Sequence, residues 1–245
     1  MRKRWGSTLS LVLFIILIVS IEHSAHAQSA GSTTISLGWA HISPVSSSDP
    51  LTITSIGGQP ANMTQPGTGS VALSSDTVGM LLEHYFTDHI GVATLAGFPV
   101  YLNLEGTGTF AKYGVIGKGR PWAPQVILTY HLFSAESKFR PFAGVGVSYT
   151  WFTNAHVTNT AFITQSFGPG GSASASASSS WNPVFAAGAN YRFSKHWMAG
   201  FSLLYIPAST NLTLTGRTAT GTEIVSKTTV RLRPIITFVN ASYVF

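Results

Sequence analysis

Cysteine is absent from all 245 residues. The chain can therefore form no disulfides and no thiolate metal sites, and an exported domain of this sequence must be held by its hydrogen-bond ladder and its packing. Charge is scarce as well: Asp, Glu, Lys and Arg make up 9% of the chain, against roughly 25% in soluble domains. Transmembrane helices do not account for this, because beyond the N-terminus no run approaches the roughly 18 apolar residues such a helix needs. Basic clusters are missing too. The formal net charge of +6 is spread along the chain, and without Arg2, Lys3, Arg4 and Glu22 it falls to +4. That distribution gives no support to a nucleic-acid partner.

Those four residues belong to the one segment with a targeting signature. Arg2, Lys3 and Arg4 precede an uncharged apolar run from Leu9 to Ile21, and Ala25-His26-Ala27 follows it. The run is shorter than the roughly 20 residues of a spanning helix, and the small residues fit cleavage before Gln28. Residues 1–27 are read as a signal peptide and 28–245 as the exported domain, an outer-membrane β-barrel in a Gram-negative cell.

What the chain has in place of charge is a 12% aromatic content together with glycine, Ser, Thr and Asn, which suits strands with one apolar and one small or polar face. From Thr33 onward it divides into about eight segments of strand composition. They run Ser32–Ile42, Thr77–Phe86, Ile90–Leu104, Gln125–Phe133, Arg140–Thr153, Trp181–Phe193, His196–Ile206, and a last one from near Thr229 to Phe245. Short turns at Thr87-Asp88-His89, Ser134–Lys138 and Ser194-Lys195 alternate with long loops at 43–75, 105–120 and 154–180. The third loop carries Ser172-Ala173-Ser174-Ala175-Ser176-Ala177, whose side chains offer no core, and it is expected to be mobile and outside the membrane. Strands cross a bilayer only as a closed barrel, usually of even strand number. The expectation is an all-β fold: an eight-stranded antiparallel transmembrane β-barrel connected as an up-and-down meander.

Alternation assigns the faces. Trp197, Ala199, Phe201, Leu203 and Tyr205 share one side and should face lipid, with Met198, Gly200, Ser202, Leu204 and Ile206 opposite. Phe185, Ala187, Ala189, Tyr191 and Phe193 likewise oppose Asn182, Gly188, Asn190 and Arg192. Aromatics gather where two interfacial girdles would lie: Trp39, Trp122, Trp151 and Trp181 at the outer rim, and Phe86, Phe133, Phe139, Tyr191, Trp197 and Phe245 at the periplasmic rim. The final segment places Val239, Ala241, Tyr243 and Phe245 on one face. Tyr243 and Phe245 are thus candidates for the terminal signal that the barrel assembly machinery reads.

Four stretches resemble the OmpW family of small outer-membrane proteins: Thr87-Asp88-His89-Ile90-Gly91-Val92, Ser137-Lys138-Phe139-Arg140-Pro141-Phe142, Gly144-Val145-Gly146-Val147-Ser148-Tyr149 and Val230-Arg231-Leu232-Arg233-Pro234. The resemblance implies an eight-stranded barrel with long extracellular loops. Its narrow, rather hydrophobic lumen would pass or receive small apolar molecules. The Ser/Ala-rich third loop and the long first loop depart from the family pattern.

Within such a barrel Glu83, Arg140 and Arg192 fall on the lumen side near its periplasmic end, where they could form an ion-paired cluster acting as a gate or as a satisfied polar core. Leu81, Leu95, Met198, Leu204 and Ile206 are the apolar lumen candidates, able to bind apolar solutes or simply to fill a narrow interior. Catalysis is not expected: His41-Ile42-Ser43 has a hydrolase-like form but no evident acidic partner to orient the imidazole. The eight histidines lack metal-ligand spacing, and Gly144-Val145-Gly146 fits small lumen-facing residues better than a nucleotide loop, so neither metal nor cofactor is expected. Two functions remain: a narrow channel or receptor for small hydrophobic molecules, or a structural or adhesive barrel with a closed lumen whose extracellular loops bind partners. The partners implied are outer-membrane lipid and lipopolysaccharide, the assembly machinery and small hydrophobic solutes.

Overall fold

The computed structural model describes residues 28–245, so the expected signal peptide lies outside the described residues. Eight strands close into a cylinder: β1 (Thr33–Pro44), β2 (Ser75–Tyr85), β3 (Ile90–Gly97), β4 (Gln125–His131), β5 (Phe139–Val157), β6 (Ser180–Arg192), β7 (Trp197–Tyr205) and β8 (Pro234–Val244). Each pairs antiparallel with its sequence neighbours, and β1 pairs β8 from Thr34↔Val244 to Pro44↔Pro234. Closure leaves no free edge, which is what a bilayer demands of a sheet. The last ladder position is set by the Phe245 N–H, which donates to Thr33 O at 2.9 Å.

Period two is the organising feature. Along β7 every second residue is buried and the intervening ones, Trp197 to Tyr205, are exposed toward lipid. The same alternation runs through β4, where Gln125, Ile127, Thr129 and His131 point inward while Val126, Leu128 and Tyr130 point out. Gly144 and Gly146 take inward positions alternating with exposed Val145 and Val147. The aromatics expected at the periplasmic rim, at strand ends, in the short turns and at the C-terminus, are all exposed, and at one turn the Thr87 hydroxyl accepts the N–H groups of His89 and Ile90.

The outer side departs from expectation. The third barrel strand stops at Gly97 instead of Leu104, and Leu102–Gly108 is a separate strand after Pro99. The last one begins at Pro234, not near Thr229: Glu223–Arg231 belongs to an outer hairpin with Ser209–Arg217, and Arg233 turns the chain with φ +40°. The first loop supplies short strands of its own between Ser47 and Ala72.

The third loop was expected to lack a core; instead Ser172–Ala177 forms a strand laddered to Ser209–Arg217. Its alternation makes this possible, because Ala175 lies opposite Leu214 and Ala177 opposite Leu212, leaving the small faces free to be covered by larger residues. A helix α1 (Thr160–Phe167) supplies them: Phe162 and Phe167 are buried with Ile116 and Leu214. Gly216 is the complementary notch, since a Cβ there would sit 2.0 Å from the Phe167 ring. The helix starts at Asn159, whose side chain accepts the Phe162 N–H at 2.8 Å and donates to Tyr113 O, a cap worth about 1 kcal/mol.

Candidate functional site

Three layers fill the barrel from its periplasmic end outward. The first is polar. Glu83 on β2 is 5% exposed, and its carboxylate accepts from Thr129 Oγ1 (2.6 Å) and from the Tyr85 hydroxyl (2.9 Å), with His131 Nε2 2.9 Å from Oε1. Tyr85 and His131 are fully buried, and His131 also packs against the Phe142 ring. Arg140, 1% exposed, turns away from Glu83: its guanidinium donates to Gln28 O (2.7 Å), Gln28 Oε1, Leu132 O and Asp88 O. Arg192 donates to Glu136 O in the neighbouring turn.

The ion-paired cluster of Glu83, Arg140 and Arg192 is therefore not formed: among the described residues Glu83 pairs with His131, and neither arginine forms an ion pair. Geometry decides this. Arg140 begins β5 beside the turns, where orphan carbonyls need donors, while His131 faces Glu83 across the lumen. Two partners missed in the sequence, Tyr85 and His131, were legible as inward positions of their strands; Gln28, which precedes the first strand, carried no such signal. These groups and Arg140 fill this end of the barrel with buried, hydrogen-bonded side chains.

Above this polar layer is a transition layer in which Ser36 and Ser242 hydroxyls meet at 2.7 Å. Next comes the apolar layer. Leu95, Leu204 and Ile206 are buried there with Ile127, Val184 and Phe238, and Leu81 packs against them. Met198 is also buried but stands apart, against Val244 near the foot of the barrel. Phe238 crosses the interior because Gly79 leaves room for its ring; a Cβ at Gly79 would be 2.9 Å from Phe238 Cε2.

The apolar layer opens into a cavity of 390 Å³ bounded by Leu95, Gly97, Phe98, Trp122, Ile206 and Ile236 among others, within the range of small-molecule sites. Its wall is interrupted. The β3–β4 ladder ends at Leu95↔Gln125, and the next pairing between these two chain segments is Leu102↔Gly119 in the outer sheet. The residues between include Pro99, Pro121 and Pro124, which have no N–H to offer a ladder. On the β3 side the edge is held, among the described residues, to β2, where Phe98 N–H donates to Val78 O and Thr77 Oγ1 to Phe98 O. The exposed rings of Phe98 and Trp122 flank this gap. A second, smaller apolar cavity of 120 Å³ lies within the outer strands, touching Leu104, Phe152, Phe162 and Leu214.

The chain matches known proteins along most of its length. The sequence model of the OmpW family fits residues 29–245. The chain belongs to the OmpW family. It is similar to outer membrane protein W of Vibrio cholerae, 26% identical over 177 residues covering 71% of this chain and 76% of that one. The Escherichia coli protein of the same name is 27% identical over 195 residues, 78% and 79% of the two chains. Among solved structures, OprG from Pseudomonas aeruginosa superposes with a TM-score of 0.77 at 23% identity, covering 91% of this chain and 99% of that one. AlkL in lipid bilayers gives a TM-score of 0.59 at 19% identity, covering 100% and 97%. This OmpW-family chain is an outer-membrane protein.

One expectation about chemistry is corrected. His41 does have an acidic partner: Asp76 lies directly opposite on β2, with His41 Nδ1 2.7 Å from its Oδ1, and Trp39 Nε1 donates to the same oxygen. The partner is remote in sequence and appears only when β1 pairs with β2. No hydrogen bond joins Ser43 to His41 among the described residues, so the relay that a hydrolytic triad requires is not assembled. In the outer hairpin, Asp49 grips Arg231 with two bonds and holds that guanidinium above its ordinary pKa by hydrogen bonding and charge.

Proposed function

We propose that this barrel is a conduit or receptor for small hydrophobic molecules that exchanges them sideways with the bilayer through the gap between β3 and β4. The observation that carries the reading is the unladdered, proline-bearing stretch in front of the 390 Å³ apolar cavity. An apolar solute reaching the cavity meets Leu95, Ile206 and Ile236 on one side and the lipid-facing Phe98 and Trp122 on the other. It need not cross the polar plug, where Glu83 and Arg140 would have to lose buried hydrogen bonds. Ions and water are stopped at that plug, so Glu83 and Arg140 serve as a barrier at the periplasmic end and Arg192 braces the turn beside it. Leu81, Leu204 and Ile206 supply the apolar floor.

Lipid and lipopolysaccharide surround the wall in this reading, and Tyr243 and Phe245 present the assembly machinery with a terminal aromatic pair whose ring centroids are 4.9 Å apart. The ordered outer strands favour the second reading, a barrel whose extracellular surface binds partners.

Uptake of a short alkane or small aromatic into liposomes distinguishes the two. Wild-type protein should exceed protein-free liposomes, and Gly97→Phe should return uptake to the control. The substitution fits the backbone, because a Cβ at Gly97 would meet nothing closer than Thr77 Cγ2 at 3.5 Å. Wild-type uptake equal to the protein-free control would sink the conduit and leave the adhesive reading.

A further inference from the structure

On the outward face beyond the gap, two cations share one aromatic ring. Lys118 Nζ lies 4.7 Å and Arg120 Cζ 4.5 Å from the centre of the Tyr101 ring, and His156 approaches it edge-on at 6.3 Å between ring centroids. Lys118 and Arg120 are half-buried, and neither forms an ion pair among the described residues. Elsewhere on the outer side Arg217 pairs with Glu223 and Arg231 with Asp49, while Arg233 donates to the Ser47 hydroxyl and, among the described residues, shares no aromatic ring with another cation. Holding two like charges together costs free energy that a nearby carboxylate would relieve. Glu105 follows Tyr101 at i+4 on the same stretch but forms no ion pair with either cation. The Nε of Arg120 is buried with no hydrogen-bond partner among the described residues.

Position indicates what fills the role. Lys118, Arg120 and Trp122 alternate along one strand and so share its face. Trp122 stacks on Trp151 with centroids 5.9 Å apart and planes 5° off parallel, and donates from Nε1 to Thr153 Oγ1. Such paired tryptophans mark the level where hydrocarbon gives way to headgroups. At about 3.4 Å per residue and a tilt of roughly 40°, Arg120 and Lys118 stand about 5 and 10 Å above that level. This is the depth at which the headgroups of outer-leaflet lipid lie.

We propose that Lys118 and Arg120, braced on Tyr101, form a binding site for the phosphate groups of an outer-leaflet glycolipid seated against the barrel beside the gap. The Arg120 fork suits a phosphate's oxygens and the Lys118 ammonium adds a second charge. The ring holds both stems in place before the lipid arrives, which lowers the ordering cost of binding. This deepens the proposed function by naming a lipid partner next to the gap. It rests on the outer-membrane orientation and not on what passes through the lumen, so a failed uptake assay leaves it standing.

The test uses the refolded full barrel in zwitterionic detergent, titrated with bis-phosphorylated lipid A, with bound lipid counted by native mass spectrometry. Wild type should retain lipid A, and the double variant K118Q/R120Q should bind about tenfold or more weakly, as expected for two cations facing anionic lipid. R217Q/K227Q, which removes two cations from the outer hairpin, should bind as wild type does; an equal loss in that variant would reduce the effect to general surface charge and overturn the site. Inorganic phosphate at the same phosphate concentration should not compete, and full competition would assign the site to free phosphate instead. Unchanged heat-modifiable gel migration establishes that each variant is folded. Equal lipid A retention by wild type and K118Q/R120Q would end the proposal.

Discussion

The polar plug makes a quantitative prediction about which buried groups depend on one another. Replacing Glu83 with Ala removes the acceptor for Thr129, Tyr85 and His131 at once. Each stranded group costs about 1–3 kcal/mol when it stays buried, and relaxation brings the total to about 3–5 kcal/mol. Glu83→Gln is milder, because the amide oxygen can still accept from Thr129 while the amide nitrogen donates to the Tyr85 hydroxyl; about 1–2 kcal/mol is expected. The decisive quantity is coupling. Glu83 bonds His131, and among the described residues no hydrogen bond or ion pair joins it to Arg140, whose donors go to Gln28, Leu132 and Asp88. A double-mutant cycle on Glu83 and His131, read from urea unfolding in lipid vesicles, should give about 1–3 kcal/mol of interaction. The cycle on Glu83 and Arg140 should give clearly less, since only longer-range charge links them. Reversal of that order would refute the assignment of partners. Single-channel recording of Glu83→Gln reads the barrier directly: unchanged conductance and gating would remove Glu83 from any gating role.

Three further outcomes follow from the same geometry. Leu128→Arg places a charge on the lipid face of β4 and should destabilise the barrel by about 2–4 kcal/mol if the site is near the bilayer midplane, whereas Leu128→Phe should be nearly neutral in the same unfolding assay. Gly216→Ala drives a methyl group into the Phe167 ring; the helix Thr160–Phe167 should lift, and limited proteolysis should cut near Ser172–Ala177 at least severalfold faster with the barrel intact. Phe245→Ala should slow formation of the heat-modifiable folded species in the presence of the assembly machinery, and an unchanged rate would confine Phe245 to anchoring.

The membrane half of the fold was legible because lipid imposes one rule on every strand. Trp197, Phe201 and Tyr205 could only face outward if Met198, Ser202 and Leu204 faced inward, and that binary choice located the strands, though not the outer ends of the third and the last. The outer half obeys no such rule. Ser172–Ala177 reads as low complexity because its contribution to packing is smallness, and its meaning depends on Phe162, Phe167 and Gly216, which the chain brings together only in three dimensions. The site divides the same way. Alternation placed Glu83, Arg140, Leu95 and Ile206 in the lumen, but not who bonds to whom, since His131 reaches Glu83 from a strand two places away around the cylinder. His41 and Asp76 are the same kind of case: register, not spacing, makes them neighbours.

The length of β5 has a mechanical consequence. Its 19 residues run roughly 60 Å when extended, about twice the hydrocarbon thickness, and they outlast their neighbour β4. From Phe142 to Ser148 β5 is sewn to β4, and from Trp151 onward to the outer strand ending at Trp122. The two pieces that border the gap on that side therefore hang from one continuous rail. A pull on the extracellular strands is carried down β5 into the barrel as a whole, while the short proline-bearing link between Trp122 and Gln125 bears little of it. The wall can thus lack a ladder at that point without being weak, because the chain that spans the interruption is not the chain that carries the load.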